Sequence, residues 1–353
     1  MYNIENSKCE IIKFDFLAKD FNKTNRNYSD PFNANDISND TAKAEDILNI
    51  QAFALAKRMK TVNCETAIIG ISAGIDSTLA LLVAVQTFKI LNLDKKNIFA
   101  ISMPGPATTT KTNEISKELC DALDVNYSVI PITNSVEQHF KDIGHNSNDL
   151  DIVYENTQAR MRTMVLLNVA NQKKGIVVGT GDMSEIALGW NTFNGDHISN
   201  YNVNAGVPKT IAKAILFAIT HSSLFPQSAR KQIKIILEKP ISPELIPSDK
   251  TGKVQSTEEI LGPYELHDFF LYYYVKYFLS EEKILYIANL TFEGKYTADV
   301  IKNTFKTFIK RFKLNQYKRN CSADGPSIFG ISLSPRGGLV LPSDAVGMIC
   351  SYM

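Results

Sequence analysis

Cysteine is sparse and unpatterned in this chain. Of the 353 residues only Cys9, Cys64, Cys120, Cys321 and Cys350 are cysteines, an odd number, widely scattered and without a C-x-x-C spacing. That excludes a disulfide framework and a cysteine-type zinc site, and it suits a reducing compartment. Long apolar runs are missing too: no uncharged stretch reaches the roughly 18 residues that a membrane span needs. The opening MYNIENSKCE is polar, with no basic-then-apolar leader, so the expectation is a soluble cytoplasmic protein with no membrane partner. Charge of one sign is also lacking, with 38 Lys and Arg against 37 Asp and Glu and a net charge of +1. No bulk field therefore points to nucleic acid, and no acidic tail to a solvating role. A hydrophobic content of 44% is enough for a large core, so partners have to be read from sites.

Residues 1–42 differ from the rest, being dominated by Asn, Asp, Ser and Lys, and read as a polar arm or linker. Residues 43–353 read as one domain with a helical C-terminal extension. EDILNIQAFALAKRMK carries Ile47, Leu48, Ile50, Phe53, Leu55 and Met59 at helical spacing. After it, strands and helices alternate. TAIIGI, NIFAISM, NYSVIPI and GIVVGT read as strands, separated by helical segments that include TKTNEISKELCDAL and ENTQARMRTMVLLNVAN. Such alternation implies parallel βαβ units and a doubly wound α/β sheet. Beyond Asn200 the pattern is mostly helical. The aromatic run FFLYYYVKYF wraps most of a helix surface, which favours a core or subunit interface over a platform for stacking bases.

The stretch AIIGISAGIDSTLALLV joins a buried strand to a buried helix through a small-residue turn that carries Asp76, Ser77 and Thr78. At the carboxyl end of a strand in an open α/β sheet, with orphan N–H groups at the helix start, such a turn is shaped for phosphate. By itself the pattern is more often a capped helix after a tight turn. VVGTGDMSEIALGW repeats the strand, turn and helix, with Glu185 in the first turn. Either acid can simply favour a helix N-terminus, or Asp76 and Glu185 can hold a magnesium ion between them. SMPGPATTTKT reads as a loop on the same sheet edge. In ENTQARMRT, Asn156 pairs with Arg160 and Gln158 with Arg162 at i, i+4.

Together these segments resemble the NAD synthetase family, in particular the synthetase region of its glutamine-dependent members. The family's S-G-G-x-D-S loop stands here as Ser72, Ala73, Gly74, Ile75, Asp76 and Ser77. E-N-x-Q-A-R-x-R matches from Glu155 to Arg162, and G-T-G-D-x-S-E from Gly179 to Glu185. SNYNVNAGVPKT, SPELIP, GPYELHDF, QYKRNCSADGPS and LSPRGG extend the likeness from about Glu45 to about Ser343. The resemblance implies an ATP pyrophosphatase fold of the adenine nucleotide alpha hydrolase-like type. The reaction it implies is ATP-dependent, magnesium-assisted amidation of nicotinic acid adenine dinucleotide to NAD through an adenylated carboxylate.

It also implies site roles. Residues 72–77, with Arg160, Thr180 and Lys209, would bind ATP and pyrophosphate, and Asp76 and Lys209 would be catalytic. Asn156, Arg162, Asp182, Asn204, Lys318 and Arg319 would bind the dinucleotide, and Asp76 and Glu185 the metal. A homodimer is implied as well. The region before Ile47 is too short for the nitrilase-like amidase of the glutamine-dependent enzymes, so ammonia is expected as nitrogen source, free or delivered by a separate glutaminase subunit, unless the chain is a fragment. Two departures stand out, Ala73 for a glycine and Ser327 for a lysine. If residue 73 needs positive φ its methyl adds strain, and if not the change is nearly neutral. The expectation is a loop that still binds ATP. The alternatives are another ATP pyrophosphatase-type amidotransferase and a non-catalytic dinucleotide-binding homologue.

Overall fold

The computed structural model describes residues 29–106, 110–239 and 257–344. Helices α1 (Ala34–Asn39) and α2 (Thr41–Thr61) lead into β1 (Ala67–Gly70), α3 (Ile75–Leu91), β2 (Ile98–Ser102), α4 (Thr110–Leu123) and β3 (Asn126–Val129). Helices α5 (Thr133–Ile143) and α6 (Ile152–Lys173) then cross to β4 (Ile176–Gly179), α7 (Met183–Leu188) and β5 (Tyr201–Asn202). The strands run parallel in the order β3-β2-β1-β4-β5. Both faces of the sheet are covered. Ala67, Ile69, Ile98, Ala100 and Val178 join one apolar cluster with α2, α3 and α4, while Ile68, Ile101 and Val177 join another with Phe140 and Tyr154 of α5 and α6. Burial on both faces is why these strands lack polar alternation.

The remainder is helical: α8 (Lys209–Ile219), α9 (Gln227–Leu237), α10 (Thr257–Leu261), α11 (Tyr264–Leu271), α12 (Glu281–Thr291), α13 (Ala298–Leu314) and α14 (Gln316–Asn320). SPELIP lies outside the described residues, as do 107–109 of the SMPGPATTTKT loop. The aromatic run belongs to a core: Phe269 and Phe270 are fully buried and meet Phe292, Phe305 and Phe308 at centroid distances of 4.9–5.9 Å. After α11 the run continues as one π-helical turn, Tyr272–Lys276.

The polar arm departs from its sequence reading where it is described. Within residues 29–42, Phe32 and Ile37 are buried, and Phe32 packs edge-on against Tyr272 and Phe329. Asp40 then starts α2 by accepting hydrogen bonds from the Ala42 and Lys43 amides. Two apolar residues in a polar stretch anchor it, a signal too sparse to show periodicity. Helix α3 begins at Ile75, so Asp76, Ser77 and Thr78 lie in its first turn and not in the loop before it, and β5, having only two residues, is not legible in the sequence.

His267 sits 1% exposed on α11, its Nε2–H donating to the Leu261 carbonyl at 2.9 Å, and burial holds its pKa down to about 4. A depressed folded-state pKa gives stability that is present above pH 6.5 and is lost as pH falls toward about 4, because the unfolded imidazole takes up a proton first. The loss between pH 7 and 5 is expected to be about 2 kcal/mol. Neighbouring Asp268 is raised to about 6 by burial and acts in the opposite direction. Urea midpoints of parent and His267→Gln at the two pH values isolate the imidazole, since both proteins keep Asp268. An unchanged difference would contradict a neutral buried histidine.

Candidate active site

The sheet order reverses at β1, which has β2 on one side and β4 on the other. In open α/β sheets the crevice beyond the strand ends at that point is the ligand site. Two strand-turn-helix units meet there. The first turn, from Ile71 to Gly74, leads into α3 with no described side chain capping the helix start, which leaves its first amides as orphan donors. Ser72 and Ser77 tie the turn to itself, their hydroxyls lying 3.3 Å apart and Ser77 Oγ donating to the Gly74 carbonyl at 3.2 Å. The second turn, from Thr180 to Asp182, leads into α7, where Asp182 accepts from the Glu185 amide at 2.8 Å.

Ala73 is the left-handed residue of the first turn, with φ 49°, whereas Gly74 has φ −93°. Its methyl is buried in the apolar cluster shared with Ile75 and Leu79. Both sequence possibilities are thus mixed: the backbone is strained, but the Cβ lies in the core. Left-handed geometry costs an L-residue roughly 1 kcal/mol, while the buried methyl contributes roughly 0.8 kcal/mol and glycine loosens the unfolded chain by a further 0.4–1 kcal/mol or so. Ala73→Gly is therefore expected to leave thermal stability within a few degrees of the parent and turnover unchanged. A large gain in turnover in the same assay would show that the methyl obstructs the loop.

Asn204 staples the two turns together. It is fully buried, and its Nδ2 donates to the carbonyls of Asp76 and Thr180, each at 2.9 Å, while Gln51 of α2 donates to its Oδ1 at 3.0 Å. A buried carboxamide with these bonds holds together the two turns that form the crevice. The Asn202 side chain donates to the Gly181 carbonyl at 2.8 Å, and its backbone amide donates to the Asp324 carbonyl.

Between the turns lies a cluster of three carboxylates and one ammonium. Lys209 Nζ stands 2.5 Å from Asp76, 2.9 Å from Asp182 and 3.0 Å from Glu185, with its side chain 1% exposed. Burial pushes Asp182 well above the usual carboxylate range and Glu185 to about 7. Burial works against the Lys209 charge as well, yet the three acids, Asp182 foremost, raise it well above an ordinary lysine. One oxygen from each acid lies within 4.8 Å of the others, and Asp76 Oδ1 is buried with no hydrogen-bond partner among the described residues. An all-oxygen set with an orphaned acceptor fits a hard divalent cation. Asp182, expected at the dinucleotide, belongs to this cluster, because as N-cap of α7 it is turned inward.

The backbone that carries Lys209 is fixed from behind. Its amide donates to Ser184 Oγ at 2.9 Å, Ser184 donates to Asp268, and Asp268 also accepts from the Thr210 amide at 3.0 Å and hydroxyl at 2.7 Å. Ser184 and Asp268 escape sequence reasoning, although both lie inside quoted motifs. Only the fold brings α11 against α7 and α8.

Other sequence candidates lie elsewhere. Asn156 accepts from Thr192 Oγ1 at 2.7 Å, and Arg162 Nε donates to the Met103 carbonyl at 3.1 Å, so each holds a loop. Arg160 is exposed, donates to the Phe193 carbonyl at 3.2 Å and lines a cavity of about 470 Å³ with Met161, Met164 and Ile198. Lys318 and Arg319 both bond carbonyls of the protein itself. Lys318 Nζ donates to the carbonyls of Gly189 and Asn191 at 2.9 and 2.7 Å, and Arg319, 1% exposed, donates to Ala187 at 2.9 Å and to Phe312. With Arg311 and Asn315 on Leu188, they cap the carbonyl end of α7. Ser327 donates to Ile331 within its own loop at 3.3 Å.

A parallel doubly wound sheet with an amide-lined turn and an acidic cluster at its switch point defines an α/β nucleotide-binding domain of the ATP pyrophosphatase type. The family model described as NAD synthase matches residues 47–322, and the chain belongs to that family. It is 37% identical over 319 residues to the glutamine-dependent NAD(+) synthetase of Mycobacterium leprae, covering 84% of this chain and 47% of that protein. The chain thus spans about half the length of the curated relatives it matches. In fold it is similar to a glutamine-dependent NAD(+) synthetase from Cytophaga hutchinsonii, with TM-score 0.67, 18% identity and coverage of 87% and 56% of the two chains. It is also similar to NMN synthetase from Francisella tularensis, with TM-score 0.59, 22% identity and coverage of 78% and 95%.

Proposed function

We propose that this chain amidates nicotinic acid adenine dinucleotide to NAD, consuming ATP through an adenylated carboxylate, with ammonia as the nucleophile, free or delivered by another polypeptide. The observation that carries the reading is the meeting of the open α3 amides with the Asp76, Asp182, Glu185 and Lys209 cluster at the switch point of a NAD synthase-family sheet. A carboxylate resists attack by ammonia. Its mixed anhydride with AMP does not, and forming it requires that charge on the departing pyrophosphate be neutralised. In this reading the α3 amides and the Ser72 and Ser77 hydroxyls receive the pyrophosphate, and Lys209 supplies positive charge. Asn204 and Asp268 keep the two turns and the lysine in register. Magnesium, held by Asp76, Glu185 and Asp182, would supply further charge neutralisation at the phosphates. A homodimer accompanies this reading, by resemblance to the family.

The test is direct. Purified protein with ATP, magnesium, ammonium and the deamido dinucleotide is expected to form NAD and release pyrophosphate in equal amounts, with loss of both on chelation of magnesium. Glutamine should not replace ammonium for the chain alone. Pyrophosphate release with a different acceptor, or binding without turnover, would overturn the proposal.

A further inference from the structure

Lys209 takes up the space a metal ion would need. An ammonium has three donors, and here three carboxylates stand within 3.0 Å of it, with the Tyr264 ring centroid 5.4 Å away. Two of these donors are hydrogen-bonded to Asp76 and Glu185, and Asp182, paired with the ammonium at 2.9 Å, keeps a buried oxygen with no hydrogen-bond partner among the described residues. Magnesium requires oxygens at roughly 2.0–2.1 Å. Acid oxygens within 4.8 Å of one another suit an ammonium or a metal at their centre, but not both at once.

We propose that Lys209 is the resident counter-cation of this cluster and that it exchanges with the metal, an inference that rests on the metal-assisted reading above. Without nucleotide the ammonium closes the three acids. When magnesium arrives with the ATP phosphates, the metal takes the carboxylates and the ammonium moves to phosphate oxygens nearby. No covalent bond changes, and cation charge is delivered to both groups in one rearrangement. The anatomy suits such a movement, because only the side chain has to travel. The backbone of Lys209 stays fixed through Ser184 and Asp268, while the four-carbon stem is flexible. Removal of the ammonium by substitution should open the acids to metal, and the metal should bind the parent well only together with nucleotide.

Mn2+ is the probe, with binding read from the electron paramagnetic resonance signal of the free ion and stability read by thermal melting, both without turnover. In the parent without nucleotide, Mn2+ is expected to bind weakly and leave the melting temperature unmoved, and a non-hydrolysable ATP analogue should make the binding tight. Lys209→Met should bind Mn2+ without nucleotide about tenfold or more tightly than the parent and should melt higher when it is present. A Lys209→Met protein that folds only with Mn2+ supports the same exchange. The parent remains decisive if that variant does not fold at all. Tight stoichiometric Mn2+ binding by the nucleotide-free parent, lost in Asp76→Asn, would overturn the exchange. Absence of Mn2+ binding in every state would overturn both the exchange and the metal assignment, whereas NAD formation tests the reaction alone.

Discussion

Asp76→Asn is expected to lower pyrophosphate release and NAD formation by at least about two orders of magnitude, beyond the roughly 10–100-fold typical of losing a residue that only orients a metal ligand. A carboxamide is a far weaker ligand for a hard cation, and it also removes the shortest of the Lys209 contacts, at 2.5 Å. The fold should survive. Asp76 is the most open member of the cluster, with its side chain 21% exposed, and Lys209 keeps Asp182 and Glu185 as partners. Circular dichroism and thermal melting should therefore match the parent while turnover collapses. Near-normal turnover would remove Asp76 from the metal and phosphate chemistry.

Arg319→Ala should do the reverse, with a large loss of stability from a residue enclosed by the protein's own helices. Its guanidinium is buried and lies 4.0 Å from the Phe312 ring centroid. It bonds the carbonyls of Ala187 and Phe312, near the C-terminal ends of α7 and α13, and Gln316 Oε1 accepts from its Nε at 3.0 Å and its Nη2 at 2.7 Å. Burial pulls its pKa down to about 9, so it remains charged at neutral pH. Truncation leaves helix-end carbonyls without donors and a hole beside the aromatic core. The cost is expected to be about 3–5 kcal/mol, read as a shift in urea midpoint. Arg319→Lys should restore only part of this, since a point charge cannot serve both helices with a planar fork. An unchanged midpoint in Arg319→Ala would return Arg319 to the surface.

The two predictions mark the limits of what the sequence discloses. Strands β1, β2 and β4 are legible because burial on both faces leaves nearly continuous apolar runs, and the order of the strands along the chain with intervening helices implies the parallel sheet. Asp76 and Glu185 are legible as a pair because each opens a helix after a strand. The burial of Lys209 is not legible. VPKT reads as the start of a helix, and only the packing of α8 against α7 and α11 turns the lysine inward. The surroundings of Lys318 and Arg319 are hidden for a related reason: a basic run shows charge but not the carbonyl ends of α7 and α13 that it meets. Asp182 and Asn204 lie in motifs tied to a ligand, yet both side chains are completely buried, Asn204 bonding the two turns and Asp182 facing Lys209. Ala73 shows the same limit at the backbone, since its positive φ and its inward methyl are set by the turn and not by local preference.

The central claim, that this site activates a carboxylate by adenylation, is tested most directly with deamido dinucleotide carrying 18O in both oxygens of its nicotinate carboxylate. With ATP, magnesium and ammonium, adenylation passes one carboxylate oxygen to the α-phosphorus, and attack by ammonia leaves that oxygen on AMP. Mass spectrometry is expected to find one 18O in each AMP and the other in the amide of NAD. Unlabelled AMP, or label appearing in orthophosphate with ADP as the nucleotide product, would contradict the account.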